Sequence, residues 1–358
     1  MNWRGLVIGA STAVAIAAVG FFGVSISAQN QAAAPAAQAS SAPALPLWAY
    51  PVPPGRGPGG AAPGGAPNGA RGAAPASGRA PDDGSLKHVP GSSVGFTATY
   101  IADLFTVPDW FPDSHPPMPD IVSHGDKPVQ ACGYCHLPNG LGRPENESIA
   151  GLPAGYILQQ IADFKNGLRK SSEPRMGSVA NMVRIGININ DEDAKIAAAY
   201  FASIKLKPWI RVVETNTVPV TRPVGGMLNV VEGGGNEPIG ERVIEVPEDL
   251  GRTELRDSSS GFVAYVPKGS LAKGKELVMN GGNGKTFRCS ICHGADLKGI
   301  GNVPSIAGRS PSQMTRQLID IQSGARNGPY TQLMKEPVRQ LTSGDIVNIV
   351  SYLASLQP

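Results

Sequence analysis

One stretch of this chain occurs twice, and that repetition constrains the fold more than any other feature. Residues 132–169 superpose on 289–326 at a constant offset of 157 without a gap, and 12 of the 38 positions are identical. The identities include Cys132/Cys289, Cys135/Cys292, His136/His293 and Gly142/Gly299, while Ser148-Ile149-Ala150-Gly151 returns as Ser305-Ile306-Ala307-Gly308. Gln160, Asp163, Gly167 and Arg169 recur as Gln317, Asp320, Gly324 and Arg326. After a five-residue shortening the register resumes at an offset of 152, pairing 189–193 with 341–345 and Tyr200 with Tyr352. The folded part therefore reads as two copies of one domain, 96–206 and 263–358, with a connector at 207–262.

Each copy reads as helical. Tyr156–Gly167 and Ser312–Gly324 are apolar-periodic and end at a glycine. The last helix of each copy opens at a capping residue, Asn190 or Thr342, with an acid three residues on, Asp193 or Asp345. Its apolar face is Ala197, Tyr200, Phe201 and Ile204 in the first copy and Ile346, Ile349, Val350 and Leu353 in the second. A short helix is expected before each cysteine pair, at Asp120–His124 and Leu271–Met279. The connector alternates valines over Trp209–Thr221 and Arg242–Val246, which predicts a small β-structured segment in an otherwise mainly α fold.

The N-terminal quarter has a different composition. Of the chain's 45 glycines and 33 prolines, Pro51–Gly84 alone holds ten and eight. Such a stretch buries too little apolar surface to offset its ordering entropy, so residues 29–95 are expected to form a disordered tether. Ahead of it, residues 1–28 have one early cation, Arg4, and a long uncharged apolar run. They read either as a signal peptide ending in small residues or as an uncleaved membrane anchor. Both readings export everything downstream and predict a periplasmic location, with the anchor tethering the protein to the inner membrane. A formal net charge of +3 is too small to suggest nucleic acid as the main partner.

The four cysteines are the two pairs of the repeat, so no disulfide-dense scaffold is in play. CysGlyTyrCysHis at 132–136 and CysSerIleCysHis at 289–293 are both C-x-x-C-H, the spacing at which two thiols join the vinyl groups of haem and the histidine ligates its iron. Two other readings compete. A C-x-x-C dithiol redox site leaves the histidine after each pair unexplained, and a four-cysteine zinc site would need both repeats to share one ion. Two covalently bound haem c groups follow, held by Cys132, Cys135 and His136 and by Cys289, Cys292 and His293.

For the opposite face of each iron, methionine is the candidate, because the remaining histidines, His88, His115 and His124, all precede the first motif. Met182 and Met334 each stand seven residues before the aliphatic residue, Ile189 or Leu341, that precedes the closing helix's cap. Met176 and Met314 share no such register and read as core filler.

With these motifs in place, each copy resembles a class I c-type cytochrome, and the tandem resembles the di-haem cytochrome c4 family over roughly 115–206 and 265–358. The connector and the tether depart from that pattern. The resemblance implies an electron carrier rather than an enzyme, passing single electrons between respiratory complexes or dehydrogenases with no small-molecule substrate. A di-haem peroxidase and a cytochrome subunit dedicated to one periplasmic dehydrogenase are the competing functions. Arg169 and Arg326 are expected either to meet haem carboxylates or to stand as solvated helix-end cations. Asp163 and Asp320 are expected on helix surfaces or as capping partners.

Overall fold

A computed structural model describes residues 45–53 and 82–358. The expectations for residues 1–28 and for most of the tether lie outside the described residues. Among the described residues no helix is long and apolar enough to cross a membrane.

The first domain opens with α1 (Ala98–Ala102) and α2 (Asp120–Ser123), carries the first cysteine pair on α3 (Cys132–His136), and continues through α4 (Ala154–Lys165), α5 (Gly177–Asn188) and α6 (Asp191–Ser203). Then come β1 (Ile210–Thr215), β2 (Thr217–Pro219), β3 (Thr221–Val224), β4 (Met227–Val230), β5 (Asn236–Pro238) and β6 (Ile244–Pro247), followed by α7 (Leu250–Glu254) and β7 (Phe262–Pro267). The second domain is α8 (Ser270–Asn280), α9 (Ser290–His293), α10 (Pro311–Gln322), a 3-10 turn at Pro329–Met334, α11 (Lys335–Val338) and α12 (Ser343–Ser355). The fold is mainly α with small sheets, as the repeat predicts.

The expected capping residues do their work. Asn190 accepts from the Asp193 N–H, and Thr342 and Asp345 close a reciprocal capping box at the start of α12. Gly167 and Gly324 stand just beyond α4 and α10 in the left-handed region, at φ of 68° and 79°. Helix α12 crosses α8 at Gly274, where an added Cβ would lie 2.0 Å from the Asn348 carbonyl oxygen. Only a glycine lets these two backbones approach so closely. One helix is missing from the sequence reading: α5 is 12 residues long, whereas the second copy has only the 3-10 turn and α11 in its place.

The connector is more than a link. Strands β1, β7 and β6 form a three-stranded sheet in that order, with β1 parallel and β6 antiparallel to the central β7. Its central strand lies across the expected 262/263 boundary, because a parallel partner for β1 has to come from after a long crossover. Trp209 and Phe262 are buried in the first domain's core, while Val243, Ala264 and Val266 are buried in the second's.

The stretch expected to be an unpacked tether needs a correction too. Residues 45–53 bury Ala49 and Tyr50 completely, against Met176 of the first domain and Ile319 of the second. The Tyr50 hydroxyl donates to Asp320 Oδ1 at 2.8 Å. Composition marked this run as proline-rich, yet Leu45, Trp48, Tyr50 and Val52 supply the apolar surface that its neighbours lack. Residues 85–116 are likewise packed, with Val89, Ile101 and Trp110 forming a small core and Trp110 Nε1 donating to the Leu255 carbonyl at 2.9 Å.

Candidate haem-binding sites

Helix α3 ends in a turn that the sequence repeats. Gly142 and Gly299 return N–H bonds to the carbonyls of His136 and His293, at 2.9 and 2.7 Å. Both sit at positive φ, 66° and 91°, and an added Cβ would press to 2.7 and 2.5 Å from a backbone oxygen. This turn brings a carbonyl eleven residues on against each imidazole: His136 Nδ1 lies 2.8 Å from the Glu147 oxygen and His293 Nδ1 lies 2.8 Å from the Pro304 oxygen. A carbonyl only accepts, so Nδ1 carries the proton in both rings and Nε2 keeps its lone pair for a metal. Burial holds both imidazoles below their ordinary pKa, in the neutral form that ligates.

In the first domain a single cavity collects the expected residues. Cys132, Cys135, His136 and Met182 line it together, with Leu152, Ile157, Ile161, Phe164, Ile185 and Phe201 forming an apolar wall. The atom-free space amounts to about 1170 Å³, part of it open to solvent. Met182 reaches the cavity from α5, the helix not anticipated. Met176 is instead buried beside Tyr50, and Met314 in the second core. In the second domain Met334 ends the 3-10 turn and packs half-buried against that core.

The thiols do not suit the competing chemistries. Burial pushes Cys132 up to about 12 and Cys289 to about 11, the reverse of the lowered pKa that a dithiol redox site needs. Among the described residues no three His, Cys, Asp or Glu side chains converge as metal ligands would. An apolar cavity with paired thiols, an imidazole presenting Nε2 and a thioether fits haem c in the first domain. The second repeats the thiols and the imidazole.

The two motifs differ in cover. Tyr134, between the first pair of cysteines, is buried under Arg256, whose guanidinium stacks 3.5 Å from the ring centroid and donates to the Tyr134 carbonyl at 2.7 Å. The equivalent Ile291 is 59% exposed.

The repeat's polar identities occupy the seam between the domains, an arrangement that the sequence reading missed. The Lys170 N–H bonds the Ala325 carbonyl at 2.8 Å and the Asn327 N–H bonds the Leu168 carbonyl at 2.7 Å. With an offset of 157, each bond is the other's mate, so the two copies pack about a pseudo-two-fold axis. Arg169 donates to Gln160 and Gln317 and pairs with Glu147 at 2.6 Å, while Arg326 donates to Gln317, Gln160 and Tyr156. Neither is a solvated helix-end cation. Asp163 and Asp320 are 0% and 4% exposed, so both are interface groups and not helix-surface ones. Identical polar residues on one face of α4 and α10 were the available signal, since a surface face has no need to repeat. From α10, Gln313, Arg316 and Gln317 line the first domain's cavity.

Two helical domains, each with C-x-x-C-H at its start and a closing amphipathic helix, have the architecture of a class I c-type cytochrome. The Cytochrome c family model matches residues 271–357. Cytochrome c4 of Azotobacter vinelandii is 26% identical over 239 residues, 65% of this chain and 87% of the relative. A protein of Stutzerimonas stutzeri (strain A1501) described as a thiosulfate dehydrogenase electron acceptor is 31% identical over 231 residues, 64% of this chain and 80% of the relative. A crystal structure of reduced recombinant cytochrome c4 from Pseudomonas stutzeri superposes with a TM-score of 0.42 at 20% identity, covering 63% of this chain and 93% of that one. The chain belongs to the cytochrome c4-like family of class I c-type cytochromes. It is an electron-transfer cytochrome with covalently bound haem c, acting with redox protein partners.

Proposed function

We propose that the protein is a periplasmic carrier of single electrons with two haem c groups, one per domain. Cys132 and Cys135 would hold the first by thioether bonds, with His136 Nε2 and the Met182 thioether on its iron. Cys289, Cys292, His293 and Met334 would hold the second. The observation that carries this reading is the repeated imidazole geometry, in which both Nδ1–H groups are spent on a carbonyl and both Nε2 atoms are left to ligate.

When bound, each haem supplies a one-electron couple at its iron, raised in potential by thioether ligation. The chain's part is to exclude water with the wall of Leu152, Ile157, Ile161 and Phe201, and to keep both imidazoles in one tautomer. With His136 and Met182 both lining the first cavity, and Met334 as the candidate in the second domain, each bound iron would have two ligands from the chain and no open position for peroxide, which favours a carrier over a peroxidase. The Stutzerimonas relative's description as a thiosulfate dehydrogenase's electron acceptor supports a dehydrogenase as donor. A respiratory complex then serves as acceptor. The N-terminal segment, as signal or inner-membrane anchor, belongs to the same proposal.

The test is a haem count per chain with a redox-poised absorption spectrum and peroxide added at half reduction. Two haems, both low-spin and inert to peroxide, are expected. Met182→Ala should remove one methionine–iron charge-transfer band. A high-spin haem that consumes peroxide at half reduction would make the protein an enzyme, and an intact band in Met182→Ala would remove that ligand.

A further inference from the structure

Arg169 also lines the first domain's cavity, but it is paired there with Glu147; a second arginine of that lining is not paired. Arg316 belongs to the second domain, yet it lines the first domain's cavity with Cys132, Cys135 and His136. It is 4% exposed. Its guanidinium donates to the Ala49 carbonyl at 2.8 Å and to the Pro144 carbonyl, and among the described residues it pairs with no carboxylate. Those two bonds leave most of its five N–H donors unused. Burial pulls its pKa below the ordinary value, although Tyr50, Glu245, Asp320 and Glu145 stand near enough to oppose this through space. A desolvated cation without a bonded anion is costly, so the group calls for a negative partner inside the cavity.

Haem carries two carboxylates, and a guanidinium fork matches a carboxylate in two hydrogen bonds. We propose that Arg316 is the counter-charge to a haem carboxylate of the first domain's site, so that the second domain completes that site. The proposal rests on the reading of the first cavity as a haem site. The charge is not reciprocated: the position equivalent to Arg316 in the first copy is Gln159, a neutral side chain bonded to Asp163 at 2.8 Å. A fixed cation beside one haem disfavours its ferric state and raises the potential of that haem selectively. Residues 45–53 hold the arginine in place, with Ala49 accepting its Nη1–H and Tyr50 bonded to Asp320 one helical turn further on.

The test is a potentiometric titration of the full chain carrying Arg316→Gln or Arg316→Lys. The first-domain wave is identified as the one missing from a Cys132→Ser/Cys135→Ser protein. Arg316→Gln should move that wave to lower potential and leave the second in place, whereas Arg316→Lys should keep most of the wild-type value. If Arg316→Gln loads one haem per chain while Arg316→Lys loads two, the charge is needed to hold the group, which also supports the proposal. Unmoved waves in Arg316→Gln, or equal effects of both variants on potential or loading, would overturn it. A Cys132→Ser/Cys135→Ser protein that keeps both waves would instead overturn the reading of the first site.

Discussion

At the scale of single residues, close approach decides more than side-chain chemistry. Gly274 sets the crossing of α8 and α12 in the second domain. Gly274→Ala places a methyl group against a backbone carbonyl that cannot rotate away, and overpacking of this kind costs about 1–3 kcal/mol. Chemical denaturation of the haem-loaded protein should show the loss; an unchanged midpoint would mean that the helices part without penalty. The opposite lesson comes from Asp163 and Asp320. Their identity in the repeat looked like helix chemistry, and only the packing of one copy on the other shows why both are buried.

Among the elements, α12 illustrates how local signals and tertiary contacts combine. Its capping box is written in Thr342 and Asp345, but Asp345 also pairs with Lys285 at 2.6 Å, tying the helix to the loop before the second motif. Burial works to raise the Asp345 carboxyl, yet bonds from Lys285 and Thr342 outweigh it and hold the pKa below its usual value. A carboxyl depressed in the folded state stabilises above its unfolded pKa of about 3.9, and that stability is lost as pH falls through the folded value. Asp345→Asn should therefore destabilise by about 1 kcal/mol at pH 7, the usual scale for a lost cap. The gap to the wild type should close below about pH 4 in urea titrations. A gap independent of pH would assign the effect to shape instead of charge.

For the molecule as a whole, the connector's sheet and residues 45–53 each pack against both domains. Because the connector's strands contribute to both cores, removing 207–262 would damage the fold, and point changes on its exposed face are the better probe of partner binding. The 45–53 segment sits in a seam where Met176, Ile319, Arg316 and Asp320 meet. Tyr50→Phe removes one hydrogen bond and should cost about 1 kcal/mol. Tyr50→Ala removes the buried ring as well and should cost about 3–5 kcal/mol. Equal thermal midpoints for wild type and Tyr50→Ala would show that the segment adds no stability.

What the sequence determined by itself is what repeats or has local period: the copy number, the C-x-x-C-H motifs, the helices from Tyr156 and Ser312, and the caps at Asn190 and Thr342. Each depends on neighbours a few residues apart, or on a comparison of the chain with itself. The tertiary structure alone decided that Arg169 and Arg326 face each other, that Arg316 crosses into the first domain's cavity, that β7 pairs in parallel with β1, and that Tyr50 is buried. These depend on partners between about 50 and 270 positions away, as in the pairing of Tyr50 with Asp320 across 270. No local pattern encodes such a contact, because its free energy is gained only once both domains have folded and closed on each other.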